Sequence, residues 1–100
     1  MTGCSNNNNF EKLNAKEFNT VMVSLNGTQV YESNSVDAIK GIVNEINTNK
    51  REFATEVSFS KAPEGKIKFT GEKDVEVSFF EETGRSIYGP YYIHTALKFD

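Results

Sequence analysis

The chain has 100 residues, 37% hydrophobic and 25% charged, with a net charge of −3. That length and composition suit one globular domain, and they exclude a wholly disordered chain. One cysteine and one histidine exclude an internal disulfide and a Cys/His metal cluster, so no cofactor or metal site is expected. No apolar run approaches the roughly 20 residues of a membrane span. The lysines at 61, 66, 68 and 73 are interleaved with Glu64, Glu72 and Asp74, a mixed-sign surface rather than the basic stripe that holds nucleic acid.

Residues 1–9 read Met-Thr-Gly-Cys-Ser-Asn-Asn-Asn-Asn. Thr2-Gly3-Cys4 resembles the end of a bacterial lipobox, where small residues precede a cysteine that receives a diacylglyceryl group. Met1 stands where the lipobox usually has leucine, and the segment is expected to be a remnant trimmed of its signal peptide. Two acyl chains hold a protein stably on a bilayer, whereas one binds marginally. Ser5 and the four asparagines are polar and poor at regular structure, which suits a flexible tether. The expectation is a lipidated Cys4, a tether over 1–9, and one folded domain over 10–100.

Phe10, Leu13 and Phe18 can share one side of a helical turn, forming a lead-in. Val21, Val23 and Leu25 alternate with polar residues, Asn26-Gly27 supplies the positive φ angles of a tight turn, and Thr28 to Glu32 resumes an extended pattern; a hairpin is predicted. Between Ser33 and Asn49, Val36, Ile39, Ile42, Val43 and Ile46 recur at helical spacing, with Asn34 or Ser35 as N-cap and Asp37 near the positive end of the dipole. Period-two patterns then predict strands over 53–60, around Ile67 and Phe69, and over 75–79. A last strand is predicted over 86–100, interrupted at Gly89-Pro90, with Tyr91, Ile93, Thr95, Leu97 and Phe99 on one face and His94, Ala96 and Lys98 on the other.

These elements predict an α+β domain: one main helix packed on a curled antiparallel sheet of about five or six strands, built as a hairpin, a helix and a four-stranded meander. The topology resembles cystatin-like and nuclear transport factor 2-like folds. The order of features from about Phe18 to Ile93 resembles that of uncharacterised small lipoproteins of Gram-positive bacteria. The segments that carry the resemblance are Ser58 to Pro63 and Gly84-Arg85-Ser86-Ile87-Tyr88-Gly89-Pro90-Tyr91-Tyr92. It implies a lipid-anchored protein on the extracytoplasmic face of the membrane. Some such proteins act in exclusion or immunity, and the resemblance implies no catalytic residue.

A nucleophile–base pair would need Cys4 or a serine beside His94. Cys4 falls on the tether, and the strand phase gives His94 the polar face. Glu81 and Glu82 are adjacent, so in a strand they point apart and do not form a carboxylate pair with Glu76. A non-catalytic protein is therefore expected. The aromatic group Phe80, Tyr88, Tyr91 and Tyr92, with Arg85 nearby, is the candidate partner-binding surface, because Tyr and Arg bury area while keeping a polar handle. The expected function is recognition of another membrane or surface protein. The alternative is a small-ligand module using a pocket between helix and sheet.

Overall fold

The structure, a computed structural model, describes residues 12–59 and 61–99. Leu13 is buried, and Asn14 caps a single 3-10 turn at Ala15–Glu17. Phe18 then opens the first strand, so Leu13 and Phe18 both reach the core but do not share a helical turn. The elements that follow are β1 (Phe18–Leu25), β2 (Thr28–Ser33), α1 (Val36–Thr48), β3 (Arg51–Phe53), β4 (Gly65–Gly71), β5 (Val75–Phe79), β6 (Ser86–Tyr88) and β7 (Tyr91–Ile93).

All seven strands form one antiparallel sheet in the order β2-β1-β4-β5-β6-β7-β3. The fold is α+β with one helix on an open sheet, and the strand count is seven rather than five or six. The seventh strand comes from Gly89-Pro90. The pair does not bend one long strand; it reverses the chain. Gly89 takes a φ of +59°, Tyr88 pairs with Tyr91, and β6 and β7 become a hairpin.

The β1–β2 turn follows from Asn26-Gly27, whose φ angles of +52° and +84° suit the twist of a two-residue hairpin. The register slips between Val23 and Ser24, so Tyr31 faces Val23 while Gln29 faces Ser24. That bulge disturbs the outer strand, a usual way to blunt an exposed edge.

Beyond Phe53 the predicted strand over 53–60 does not continue through residues 54–59, and Ser60 lies outside the described residues. After Phe53 the chain enters a 3-10 turn at Ala54–Glu56. The reason lies in its neighbour: β3 pairs only with β7, and the last bond in that direction runs from the Ala54 N–H to the Pro90 carbonyl, 2.8 Å. Pro90 has no N–H to continue the ladder. Nor does β3 begin a meander beside β4. It lies at the far edge of the sheet.

Strand order gives the helix its path. β2 and β3 stand six strand spacings apart, about 29 Å. The connection between them must cross the sheet, and the 13 residues of α1 supply about 20 Å of it. Ser35 Oγ caps the helix by accepting from the Ala38 N–H. At the other end Thr48 Oγ1 and Asn49 Nδ2 donate to the carbonyls of Asn44 and Glu45, satisfying acceptors the helix leaves open. Ile39, Ile42, Val43 and Ile46 pack into the core, whereas Val36, predicted on the same stripe, is 65% exposed in the first turn.

The face beneath the helix is apolar in register. Val23, Ile67 and Val77 form one cross-strand row, and Val21, Phe69 and Val75 form the next. The remaining corner is covered by residues 94–99, which leave β7 as a strap. Thr95 and Leu97 are buried, and Phe99 meets both Phe79 and Tyr31, with centroids 5.4 Å apart in each pair. The predicted alternation over 91–99 is present in burial, although the ladder stops at Ile93.

Candidate functional site

Among the described residues no helix lies over the face opposite α1, and its registered residues fall into two halves. One cross-strand row runs Ser24, Lys66, Ser78, Ile87, Tyr92, Glu52. Toward β1 and β4 the face is polar, with Lys66, Lys68 and Glu76; Lys66 and Glu76 lie 3.8 Å apart across strands, both well exposed. Such a pair contributes little.

Toward β6, β7 and β3 the same face is aromatic. Phe80 follows Phe79 directly, so a period-two chain turns one ring to each side. Phe79 is 1% exposed beneath the helix and strap, and Phe80 is 8% exposed on the opposite face. Phe80 lies 6.4 Å from Tyr92, nearly edge to face at 63°. Phe59 stacks on Phe80 at 5.5 Å and 19°, and tilts against Tyr92 at 5.4 Å. Both separations are those of favourable ring pairs. Phe59 is itself 40% exposed. A cavity of about 160 Å³ opens beside the rings, with Ser58, Lys61, Glu82 and Thr83 at its rim.

His94 continues this surface. Its ring meets Tyr92 edge-on at 5.3 Å, and its Nε2 lies 2.5 Å from Glu52 Oε2. Sequence reasoning placed His94 on the polar face but missed Glu52, because the two are 42 residues apart in sequence and only the β3–β7 pairing brings them together. The Glu52 carboxylate occupies Nε2, the nitrogen that acts as the base in a Ser-His-Asp triad, where the acid holds Nδ1 instead.

The loop that carries Phe59 is tied down at its end. Lys61 Nζ lies 3.1 Å from Glu64 Oε2, and Glu64 Oε1 accepts weakly from the Glu81 N–H at 3.3 Å. The carboxyl of Glu64 is held below its ordinary range, first by its own backbone N–H and then by the Lys61 ammonium. The Lys61 ammonium is correspondingly favoured, first by its hydrogen bond to Glu64, with the charges of Glu82 and Glu81 adding to it.

The candidate surface residues do not converge. Phe80 and Tyr92 share the open face, whereas Tyr88 and Tyr91 pair on the helix side, where Tyr91 is buried and stacks on Phe53 at 5.5 Å. Arg85 turns to the strap, its Nη1 3.3 Å from the Thr95 carbonyl. Phe59 and His94 take the places of Tyr88, Tyr91 and Arg85 beside Phe80 and Tyr92. Cys4 lies outside the described residues.

The strap is held by a buried polar knot. Thr95 Oγ1 donates to the Gly84 carbonyl at 2.6 Å and lies 2.9 Å from Ser86 Oγ. A hydroxyl has one proton, so Ser86 must donate to Thr95. Gly84 needs its positive φ of +79° here, and a Cβ would fall 2.6 Å from the Leu97 nitrogen. Ala96 N–H reaches Glu45 of α1 at 2.8 Å.

The space between helix and sheet is filled by Ile39, Ile46, Ile67, Phe69 and Ile93, each 2% exposed or less. A cleft of about 390 Å³ lies instead at one end of the sheet, with Leu25, Phe79, Leu97 and Phe99 as its apolar lining and Glu81, Glu82 and Lys98 among its charged groups. Among the described residues, no three His, Cys, Asp or Glu side chains are grouped to hold a metal ion, and no helix is long and apolar enough to cross a membrane. Comparison with known protein families, with curated proteins and with solved structures finds no match for this chain.

Proposed function

We propose that this protein is a membrane-anchored surface lipoprotein that recognises another protein through the aromatic half of its open sheet face. The observation that carries the reading is the group Phe59, Phe80 and Tyr92: three rings gathered on a face with no helix over it, one of them 40% exposed. Single exposed apolar residues are ordinary; a gathered aromatic patch with a polar rim is the usual composition of a recognition surface. Thr2-Gly3-Cys4 and the asparagine run support the anchor. A tether concentrates the domain near membrane neighbours, so modest contacts suffice for occupancy. Exclusion or immunity, by masking a neighbouring membrane protein, is one form of such recognition.

A second reading, binding of a small molecule, is favoured by the 390 Å³ cleft at the end of the sheet, a volume within the range of ligand sites.

The test uses the natural precursor expressed in a Gram-positive host with labelled palmitate, beside Cys4→Ser, with a photo-crosslinking residue at position 59 or 68. Label in the wild type alone, with crosslinks from 59 and few from 68 on the polar half, supports the reading. No label and a cytosolic wild type overturn the anchor. Equal crosslinking from the two halves overturns the surface.

A further inference from the structure

We infer that Phe59 is an internal plug, and that the corner it fills is built for a partner segment carrying an aromatic side chain two residues before a lysine or arginine. This rests on the recognition surface proposed above and names what that surface takes. Phe80 and Tyr92 meet at 63° and form two walls of a corner. The chain's own Phe59 shows what fits it: a ring parallel to one wall and tilted against the other.

Two positions on, Lys61 shows the second requirement. Its ammonium is held 3.1 Å from Glu64, and the charges of Glu82 and Glu81 also act on it. The corner therefore has an acidic margin at the distance of one intervening residue from the ring. A partner of the form aromatic-x-basic meets the same walls and the same carboxylates.

The plug is lightly held. Ser58, Phe59, Ala62 and Pro63 make no hydrogen bond among the described residues. Among the described residues the loop is fixed at its ends by the Val57 N–H on the Ala54 carbonyl and by Glu64, and between them by the Phe59 ring and the exposed Lys61–Glu64 pair. Phe80 immediately follows β5 and its backbone N–H is bonded to the Arg85 carbonyl at 2.8 Å, so the floor stays in place when the ring leaves. The partner's ring and Phe59 compete for one corner, and the plug keeps the patch covered until the partner arrives.

The experiment supplies the plug from outside. A fluorescein-labelled peptide copying residues 57–64 is titrated against wild type, Phe59→Leu and Phe59→Ala. A plug in place about nine-tenths of the time lowers apparent affinity about tenfold. The peptide is therefore expected to bind Phe59→Ala about tenfold more tightly than wild type, with Phe59→Leu between them. A peptide with alanine in place of its phenylalanine should lose that gain, and one with alanine in place of its lysine should bind all three proteins more weakly. Equal affinity for all three proteins, or no binding to a Phe59→Ala protein whose amide spectrum is that of the folded wild type, overturns the inference. Either failure leaves the crosslinking test of the surface unaffected.

Discussion

Phe79 and Phe80 are neighbours in sequence and opposites in role. Phe79 lies under the strap, across Gly65, where a Cβ on that glycine would sit 2.3 Å from its ring. Phe99 closes on it from the edge. Phe80 faces the other way, and the rings of Phe59, from a loop, and Tyr92 pack on it. The two residues have nearly the same exposure, 1% and 8%, but one is buried by secondary structure and the other by a side chain on a loop. Exposure alone hides the difference between a core and a covered surface; what does the covering reveals it.

Five substitutions test that contrast. The largest effect is expected for Phe79→Ala, which should cost about 3–5 kcal/mol in urea unfolding, because helix, strap and sheet cannot all collapse into the space. Phe80→Ala should fall below that range, since the Phe59 loop can follow the missing ring; equal costs would make the two faces one core. Thr95→Val comes next. It removes the donor to the Gly84 carbonyl and leaves the Ser86 proton without its acceptor, a loss of about 1–3 kcal/mol measurable as a lower urea midpoint at unchanged slope.

Phe59→Ala should cost clearly less than Phe79→Ala, because the ring is 40% exposed and sits on a loop, while increasing hydrogen exchange or dye binding near Phe80. A loss as large as that of Phe79→Ala would place Phe59 in the fold rather than on its surface. The smallest effect belongs to pH. The Glu64 carboxyl is held below its ordinary value of 4.5 by its own backbone N–H and then by Lys61. A lowered folded pKa contributes stability that is full above the unfolded value and is lost as the pH falls through the folded one. Stability profiles of wild type and Glu64→Gln should therefore run parallel above pH 4.5 and converge on the acid side; profiles that stay parallel throughout would remove Glu64 as an anchor of the loop.

What the sequence determined by itself was local. The stripe Ile39, Ile42, Val43, Ile46 specified a helix, Asn26-Gly27 a hairpin, and the alternations at 67–69, 75–79 and 91–99 an inside and an outside. Each of these signals is written in spacings of two to four residues, the range over which backbone geometry repeats. The same rule put Phe79 and Phe80 on opposite sides and His94 on the polar face. It also failed where its premise failed: Phe53 to Ser60 has the period of a strand, but a strand needs a partner, and Pro90 ends the only ladder on offer.

Tertiary structure decided everything that depends on which strand lies beside which. It sent β3 to the far edge, brought Glu52 to His94, set Phe59 on Phe80, and buried Thr95 with Ser86. These are contacts between residues far apart in sequence or on opposite sides of a ladder. They follow from a register shared by seven strands, and no short stretch of the chain carries that register alone.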